Sequence, residues 1–353
     1  MKIGKVPENV LKRSVLKQIQ TKREEIISGA GIGEDCAIFS FGSEGIVMSC
    51  VQTAAVKTGV EGSSDSVFMR HLIQRCANNL AASGAQPIGI MIALTLPEET
   101  EEPDIRALMA DAEAKCRELN IQIAGGQTCV SRAVGQPLAT VTGYGKPIMT
   151  GSSAEETENA GIGSAAETVC AGQDVVVSKW IGLEGTAILA GRYREKLLER
   201  YPAYLVEEAA GFERLLSVVP EAATAIKSGV CMMHDASEGG IFGALWELAE
   251  KAGVGLTIDL KKIPLRQETV EVCECCNVNP YELLSGGALV MVTEDGPGLL
   301  AALEAEKIPA AIVGRITDSN DRIIRNGEEI RFLDRPKNDE IYRQQTAFSW
   351  ITE

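Results

Sequence analysis

Between Thr150 and Gln173 the chain runs through Gly, Ala, Ser and Glu with few large apolar side chains, while both flanks carry apolar runs of helical and strand period. A stretch that cannot bury apolar surface cannot belong to a core, so each flank must close a core of its own. The expected division is an N-terminal domain over 1–149, a linker or inserted loop over 150–173 and a C-terminal domain over 174–353. A length of 353 residues suits that division at roughly 150 residues per domain.

In the first flank Val10, Leu11, Val15, Leu16 and Ile19 make one stripe of a helix over Glu8–Gln20. Strand-like runs follow at Cys36–Phe41 and Ile46–Val51, either side of a turn at Gly42–Gly45. Ser66–Ser83 and Pro103–Leu119 have helical spacing, and Ile88–Leu96, Ile121–Ala124 and Leu138–Gly145 read as strands. In the second flank the strands are Asp174–Ser178, Gly255–Leu260, Ala288–Thr293 and Ala310–Val313. Helices are expected at Gly185–Arg200, Val206–Val219, Ala222–Lys227, Ile241–Ala252 and Gly298–Lys307, with a turn at Glu282–Gly287. Strand and helix are interleaved without strict alternation, so each half reads as an α+β layer with helices packed on one sheet.

Lys plus Arg number 34 against 49 for Asp plus Glu, a net charge of −15. That charge repels phosphodiester backbones and anionic lipid heads, and no local basic patch offsets it, so nucleic acid and membrane are excluded as partners. No run approaches the roughly 18–20 apolar residues of a membrane span. The opening Met1-Lys2-Ile3-Gly4-Lys5-Val6-Pro7 has no leader-like apolar run. Ten cysteines are scattered through apolar or glycine-rich surroundings. In a chain of this size they read as reduced thiols, so the expected location is the cytoplasm.

Several segments carry residue types suited to phosphate or metal chemistry. Gly29-Ala-Gly31-Ile-Gly33-Glu-Asp35 is one. Glycines let backbone N–H groups approach an anion, and Asp35 can hold a divalent cation; a tight turn explains the same residues. It is neither a Walker loop nor a dinucleotide fingerprint, since a strand rather than a helix follows. Gly125-Gly126-Gln127-Thr128 follows a short strand and suits either ligand approach or a β-bulge. Asn78-Asn79 sits in an apolar helix, where at least one amide needs buried partners. His234-Asp235-Ala-Ser237-Glu238-Gly239-Gly240 precedes a helix whose first-turn N–H groups attract an anion, while simple capping by Asp235 or Ser237 accounts for the segment too. His71 reads as a surface or satisfied core residue. Cys273, Cys275 and Cys276 lack the second ligand pair of a zinc site and read as buried helix thiols.

Taken in order, these segments resemble the AIR synthase (PurM) superfamily, and most closely its HypE-like branch. The matching pieces are Gly31–Ala37, Asn78–Pro87, Gly125–Thr128, Ile181–Gly185, Met233–Gly240, and Ala252–Asp259 followed by Ile263-Pro264. They cover nearly the whole chain apart from 150–173. The resemblance implies a two-domain PurM-like α+β fold whose N-terminal sheet-and-helix domain forms the core of a homodimer. It also implies ATP and Mg²⁺ in a groove near the dimer interface and ATP-dependent phosphoryl transfer to a carbonyl, thioamide or phosphate. HypE itself dehydrates a carbamoylated terminal cysteine during assembly of the nickel-iron hydrogenase centre.

Carried onto this sequence, the resemblance makes Asp35, His234 and Asp235 the catalytic candidates and Asp35 and Asp235 the metal ligands. Gly31, Gly33, Asn78, Asn79, Gly125, Gly126, Gln127, Thr128, Glu238 and Gly239 face the nucleotide. Where relatives carry acids, however, this chain has Val51, Asn79 and Gln127. Mg²⁺ prefers anionic oxygens, so its site is depleted or rebuilt. The chain also ends Phe348-Ser-Trp-Ile-Thr-Glu353, without the reacting cysteine of HypE. The leading expectation is a HypE-like protein that binds ATP or a phosphorylated metabolite, with or without a modified ATP-dependent reaction in metallocentre maturation or small-molecule metabolism. The alternatives are a non-catalytic homodimeric assembly protein with a degenerate nucleotide site and, lower, a kinase of the thiamine-monophosphate type.

Overall fold

The computed structural model describes residues 6–41, 44–54, 67–148 and 169–343. The part of the 150–173 segment before Val169, the centre of the 42–45 turn and the terminal Phe348–Glu353 lie outside the described residues. The chain divides into two compact units, one drawn from 23–29 and 35–163 and the other from 1–22, 30–34 and 164–353.

The N-terminal unit is built on a six-stranded sheet of β1 (Ile26–Ser28), β2 (Cys36–Phe41), β3 (Glu44–Ala54), β4 (Ala85–Leu96), β5 (Gln122–Val130) and β6 (Leu138–Pro147), ordered β1-β2-β3-β6-β4-β5. Neighbours are antiparallel except β4 and β5, which run parallel because the helix Glu102–Leu119 carries the chain back between them. Met69, Leu72, Ile73 and Cys76 on the helix Val67–Ala82 pack against Ile90, Ile92 and Leu94 of β4 and Ala139 and Val141 of β6. Gly143 on β6 makes this possible, since a Cβ there would overlap the Cys76 sulfur. Burial alternates along β4, with Gln86, Ile88, Met91 and Ala93 exposed between buried neighbours. The helices therefore cover one face of the sheet and leave Ile46, Ile88 and Met91 exposed on the other.

The C-terminal unit holds a seven-stranded sheet of β7 (Asp174–Ser178), β8 (Met232–Ala236), β9 (Gly255–Asp259), β10 (Ala288–Thr293), β11 (Ala310–Thr317), β12 (Arg322–Asn326) and β13 (Glu329–Phe332), ordered β13-β12-β9-β11-β7-β10-β8. Every residue of β7 and β10 is buried, which is why their centres, Val175–Val177 and Ala288–Val292, read as apolar runs without alternation. Ile241, Leu245 and Leu248 of the helix Gly240–Ala252 pack on Val175, Val177, Val290 and Val292. A second core gathers Leu189, Val206, Ala209 and Leu283 with Cys273, Cys275 and Cys276 of the helix Gln267–Cys276. Burial pushes the Cys273 and Cys276 thiols up to about 12 and 11, so both stay protonated, as apolar core groups would.

The mixed α+β architecture agrees with the sequence reading, with several local differences. The expected helix over Glu8–Gln20 is irregular: Glu8–Val10 is α, Leu11–Val15 is π and Leu16–Gln18 is 3₁₀. It belongs to the C-terminal unit, where Lys12 Nζ meets Glu250 at 2.7 Å and Trp246 Nε1 donates to Glu8 at 3.1 Å. The 185–200 helix is interrupted at Tyr193, and the 206–219 segment resolves into Ala203–Ala210 and a 3₁₀ turn at Gly211–Leu215. β5 does not stop at Ala124 but runs on to Val130, and β8 is a strand in the segment before the 240–252 helix to which the sequence reading assigns no element.

Candidate functional site

In the N-terminal unit the asparagine pair lies near the end of the 67–82 helix, and its amides have separate partners. Asn78 is 1% exposed, and its Oδ1 accepts from Gln74 Nε2 at 2.8 Å, an (i, i+4) bond along the buried side of the helix. Asn79 turns toward β3 and donates from Nδ2 to Ser49 Oγ at 3.0 Å. Ser49, also buried, donates its own proton to the carbonyl oxygen of Asp35 at 3.1 Å. The Cys36 thiol donates to the Asn79 carbonyl at 3.3 Å. One chain of hydrogen bonds thus ties the helix end, β3 and the start of β2 together. Because the Ser49 proton is already committed, the group at position 79 must donate. An amide can do that and an ionised carboxylate cannot. Val51, two residues along β3, packs against the unit's apolar core and offers no ligand atom. The Asp35 side chain is exposed.

Gly125, Gly126, Gln127 and Thr128 lie within β5, the last strand of the sheet, and all are exposed. They pair with Met91, Ile92, Ala93 and Leu94 of β4, past a register shift beside Ile90. Gly126 has φ +149°, and a Cβ there would overlap the Ile92 carbonyl. Of the two readings open from the sequence, the double glycine fits the bulge in an edge strand. Gln127 carries an amide where the resemblance expects an acid.

The C-terminal unit holds the other candidates. Gly33 has φ +73°, and a Cβ on it would stand 2.7 Å from the Glu247 carbonyl, so this glycine lets the 30–34 loop lie against the 240–252 helix. Glu34 pairs with Lys251 of that helix at 2.9 Å. Gly31 sits in the same loop, half-buried. His234 and Asp235 occupy β8 beside β10 and are 5% and 3% exposed. Each offers a ligand atom within 4.8 Å of the other. The His234 Nε2 lies 3.2 Å from a carboxylate oxygen of Glu247. His71, the other histidine, is buried in the helix of the N-terminal unit.

The helix start at Ser237–Phe242 differs from expectation in its hydrogen bonding. Three of its N–H groups are already used: Gly239 donates to Asp339 Oδ2 at 2.7 Å, Gly240 to the Ser237 carbonyl at 3.1 Å and Phe242 to the Tyr281 carbonyl at 3.2 Å. Gly240 has φ +66°, and a Cβ would sit 2.5 Å from the Tyr281 carbonyl oxygen, which explains the paired glycines. Neither Asp235 nor Ser237 caps this helix; Gly239 is the residue before it, with no side-chain capping bond.

Asp339 has no distinguishing mark in the sequence. It is 1% exposed, and besides Gly239 it accepts from Leu284 N at 3.2 Å and Ile341 N at 2.8 Å. Burial pushes its carboxyl up to about 7 against the pull of those N–H donors, and Glu238 adds to the rise. Ser49 and Glu247 escape sequence reasoning as well. Only their positions opposite Asn79 and His234 give them meaning.

Two family models match the chain: "AIR synthase related protein, N-terminal domain" over residues 33–146, and "AIR synthase related protein, C-terminal domain" over 171–325. The chain is similar to a putative hydrogenase expression/formation protein of Methanocaldococcus jannaschii, 27% identical over 96% of each sequence. It is also similar to the carbamoyl dehydratase HypE of Rhodobacter capsulatus, 30% identical over 67% of this chain and 66% of that one. Among solved structures it resembles HypE in a HypE–HypF complex, with TM-score 0.68 and 21% identity over 92% of this chain and 99% of that one. AaThiL complexed with AMPPCP and TMP gives TM-score 0.68 and 18% identity over 94% and 98%. HypE in complex with ATP gives TM-score 0.66 and 15% identity over 94% and 95%. At these identities the structures speak to the fold.

Proposed function

Because the chain belongs to the AIR synthase related family, with relatives named as hydrogenase expression/formation proteins, we propose that it is a HypE-like nucleotide-binding protein with a depleted Mg²⁺ site. Its ligand is ATP or a phosphorylated metabolite, as the nucleotide complexes of HypE and AaThiL suggest, and its setting is metallocentre maturation or small-molecule metabolism.

The observation that carries the depleted site is the Asn79–Ser49–Asp35 chain of hydrogen bonds. The resemblance puts a carboxylate at position 79, and this protein spends the position on a donor. With Gln127 an amide on an exposed strand and Val51 packed in the core, Asp35 and Asp235 are the carboxylates left as candidate metal ligands. That donor set does not fit a tightly held Mg²⁺, which prefers anionic oxygens. On the resemblance alone, we assign Asp35 of the N-terminal unit and His234 and Asp235 of the C-terminal unit to the chemistry, and the glycines at 31, 33, 125, 126 and 239 to nucleotide-facing backbone.

The uncovered face of the N-terminal sheet favours a homodimer. Ile46, Ile88 and Met91 are 37%, 45% and 49% exposed there, and a second copy of the same face would cover them. No helix among the described residues is long and apolar enough to cross a membrane. The cytoplasmic setting we propose rests on reading the ten cysteines as reduced thiols.

Titration of the purified protein with ATP by calorimetry, with and without Mg²⁺, followed by an assay for ADP release, tests this reading. Binding that changes little when Mg²⁺ is removed supports it. Absence of heat in both conditions refutes nucleotide binding and favours the non-catalytic assembly protein. Strongly Mg²⁺-dependent ADP formation refutes the depleted site.

A further inference from the structure

The segment 339–342 crosses two loops of the C-terminal unit and fastens both. Asp339 joins Gly239, Leu284 and Ile341 through their backbone N–H groups. Glu340 accepts from Asn279 N at 3.2 Å, and its own N–H reaches the Glu282 carbonyl at 3.3 Å. The two oxygens of Asp339 divide their work. Oδ1 serves Leu284 and Ile341, whereas Oδ2 serves Gly239 alone.

Gly239 has φ +92° and Gly240 φ +66°, a pair of left-handed residues with no side chain to lock them. The turn that joins β8 to the 240–252 helix therefore has little intrinsic rigidity. A buried anion that accepts the N–H of the residue before the helix supplies it, in the way a bound anion does at a helix start. Here the anion is the protein's own, brought from a hundred residues downstream.

We propose that Asp339 is a positioning residue: it fixes the Ser237–Gly240 turn, and with it Glu238 and the end of β8, from the C-terminal segment of the chain. The part of this inference that concerns nucleotide binding rests on the function proposed above. The part that concerns order in the turn does not.

Asp339→Asn separates the roles. Its amide oxygen can still serve Leu284 and Ile341, but its NH₂ group then faces the Gly239 N–H, donor against donor. At pH 8 the variant should show hydrogen exchange at residues 238–243 faster by about tenfold or more, with exchange elsewhere in the C-terminal unit unchanged. Glu340→Gln, on the same segment but without a bond to the turn, should leave 238–243 as in the wild type. In wild-type protein the Gly239 amide should be as protected as the helix interior although it precedes the helix, a readout that needs no variant to fold. Gly239 exchanging at the rate of an open loop, or Asp339→Asn loosening the whole unit evenly, overturns the proposal. Calorimetry with ATP on the same samples bears on the other reading separately. If wild type binds ATP, Asp339→Asn should bind it about tenfold more weakly, and unchanged affinity refutes the link to the nucleotide. If wild type does not bind ATP, the proposed function fails while the exchange data still decide the role of Asp339.

Discussion

Replacing Asn79 by Asp introduces the acid that the family resemblance puts at this position and tests whether this chain has built the position around an amide. In the protein Asn79 Nδ2 donates to Ser49 Oγ at 3.0 Å, and the Ser49 proton goes to the Asp35 carbonyl. In the Asn79→Asp variant an ionised carboxylate has no proton to give, so Ser49 Oγ loses this donor in a buried setting. Otherwise Ser49 turns its proton to the new carboxylate and withdraws it from the Asp35 carbonyl. The first outcome takes a donor from the buried Ser49 oxygen, at about 1–3 kcal/mol, and the second gives up the bond to the Asp35 carbonyl, at about 1 kcal/mol. A cost of about 1–3 kcal/mol should lower the melting transition of the N-terminal unit by roughly 3–12 °C for a unit of this size, read by scanning calorimetry at pH 8.

The pH dependence supplies the control. Once the introduced carboxyl is protonated its O–H can again donate to Ser49, so the deficit relative to wild type should shrink as pH falls through the carboxylate range near about 4–5. The same variant should gain Mg²⁺ dependence in ATP binding if position 79 is what depletes the metal site. An Asn79→Asp variant as stable as wild type at pH 8, or one whose deficit grows on acidification, refutes the donor argument.

Other outcomes follow from single contacts. Lys179 is buried with its ammonium on the Leu215 carbonyl at 2.8 Å and on the Ser217 carbonyl and Glu221; Lys179→Met should cost the C-terminal unit about 3–5 kcal/mol in a denaturant melt, because Glu221 is left as an unpaired buried charge. The double variant Lys179→Met with Glu221→Leu should recover most of that loss, and a double variant no better than the single would contradict it. Gly126→Ala should cost at least about 3 kcal/mol in the N-terminal unit, from φ strain and overlap with the Ile92 carbonyl. A Cβ at Gly125 would meet nothing within 4 Å, so Gly125→Ala should stay within about 0.5 kcal/mol of wild type. Asp339, its carboxyl raised to about 7 from 3.8 by burial, holds its proton in the folded state over a range where the unfolded chain has lost it. Stability should therefore fall as pH rises from about 4 to about 7, by up to about 4 kcal/mol, and urea melts of Asp339→Asn should lack that limb.

Which features can be read from the sequence depends on whether the determining contact lies within one element. β7 and β10 announce themselves because both faces are buried, and the 67–82 helix because its apolar stripe meets the sheet. β5 reads short because Gly125-Gly126 has the composition of a turn. Only the pairing with β4 shows that an edge strand absorbs the bulge there. β8 goes unassigned because His234 and Asp235 are polar, whereas the residues that pair with them across the sheet are Val290 and Leu289. The candidate site divides in the same way. Val51, Asn79 and Gln127 stand out as letters against the acids that the resemblance expects, and from letters alone they signify only a difference in charge. The fuller meaning of Asn79 depends on where the Ser49 proton goes, and that depends on the Asp35 carbonyl, a backbone atom no residue type reports. Asp339 lies beyond sequence reasoning for the same cause: its partners are N–H groups 100, 55 and 2 positions away, and every residue but proline has one. A site whose charges have been traded for amides is therefore best judged by counting its donors and acceptors. By that count Asn79 belongs to a hydrogen-bonded frame with Ser49 and the Asp35 carbonyl, and the Asn79→Asp variant decides whether a cation has any share in it.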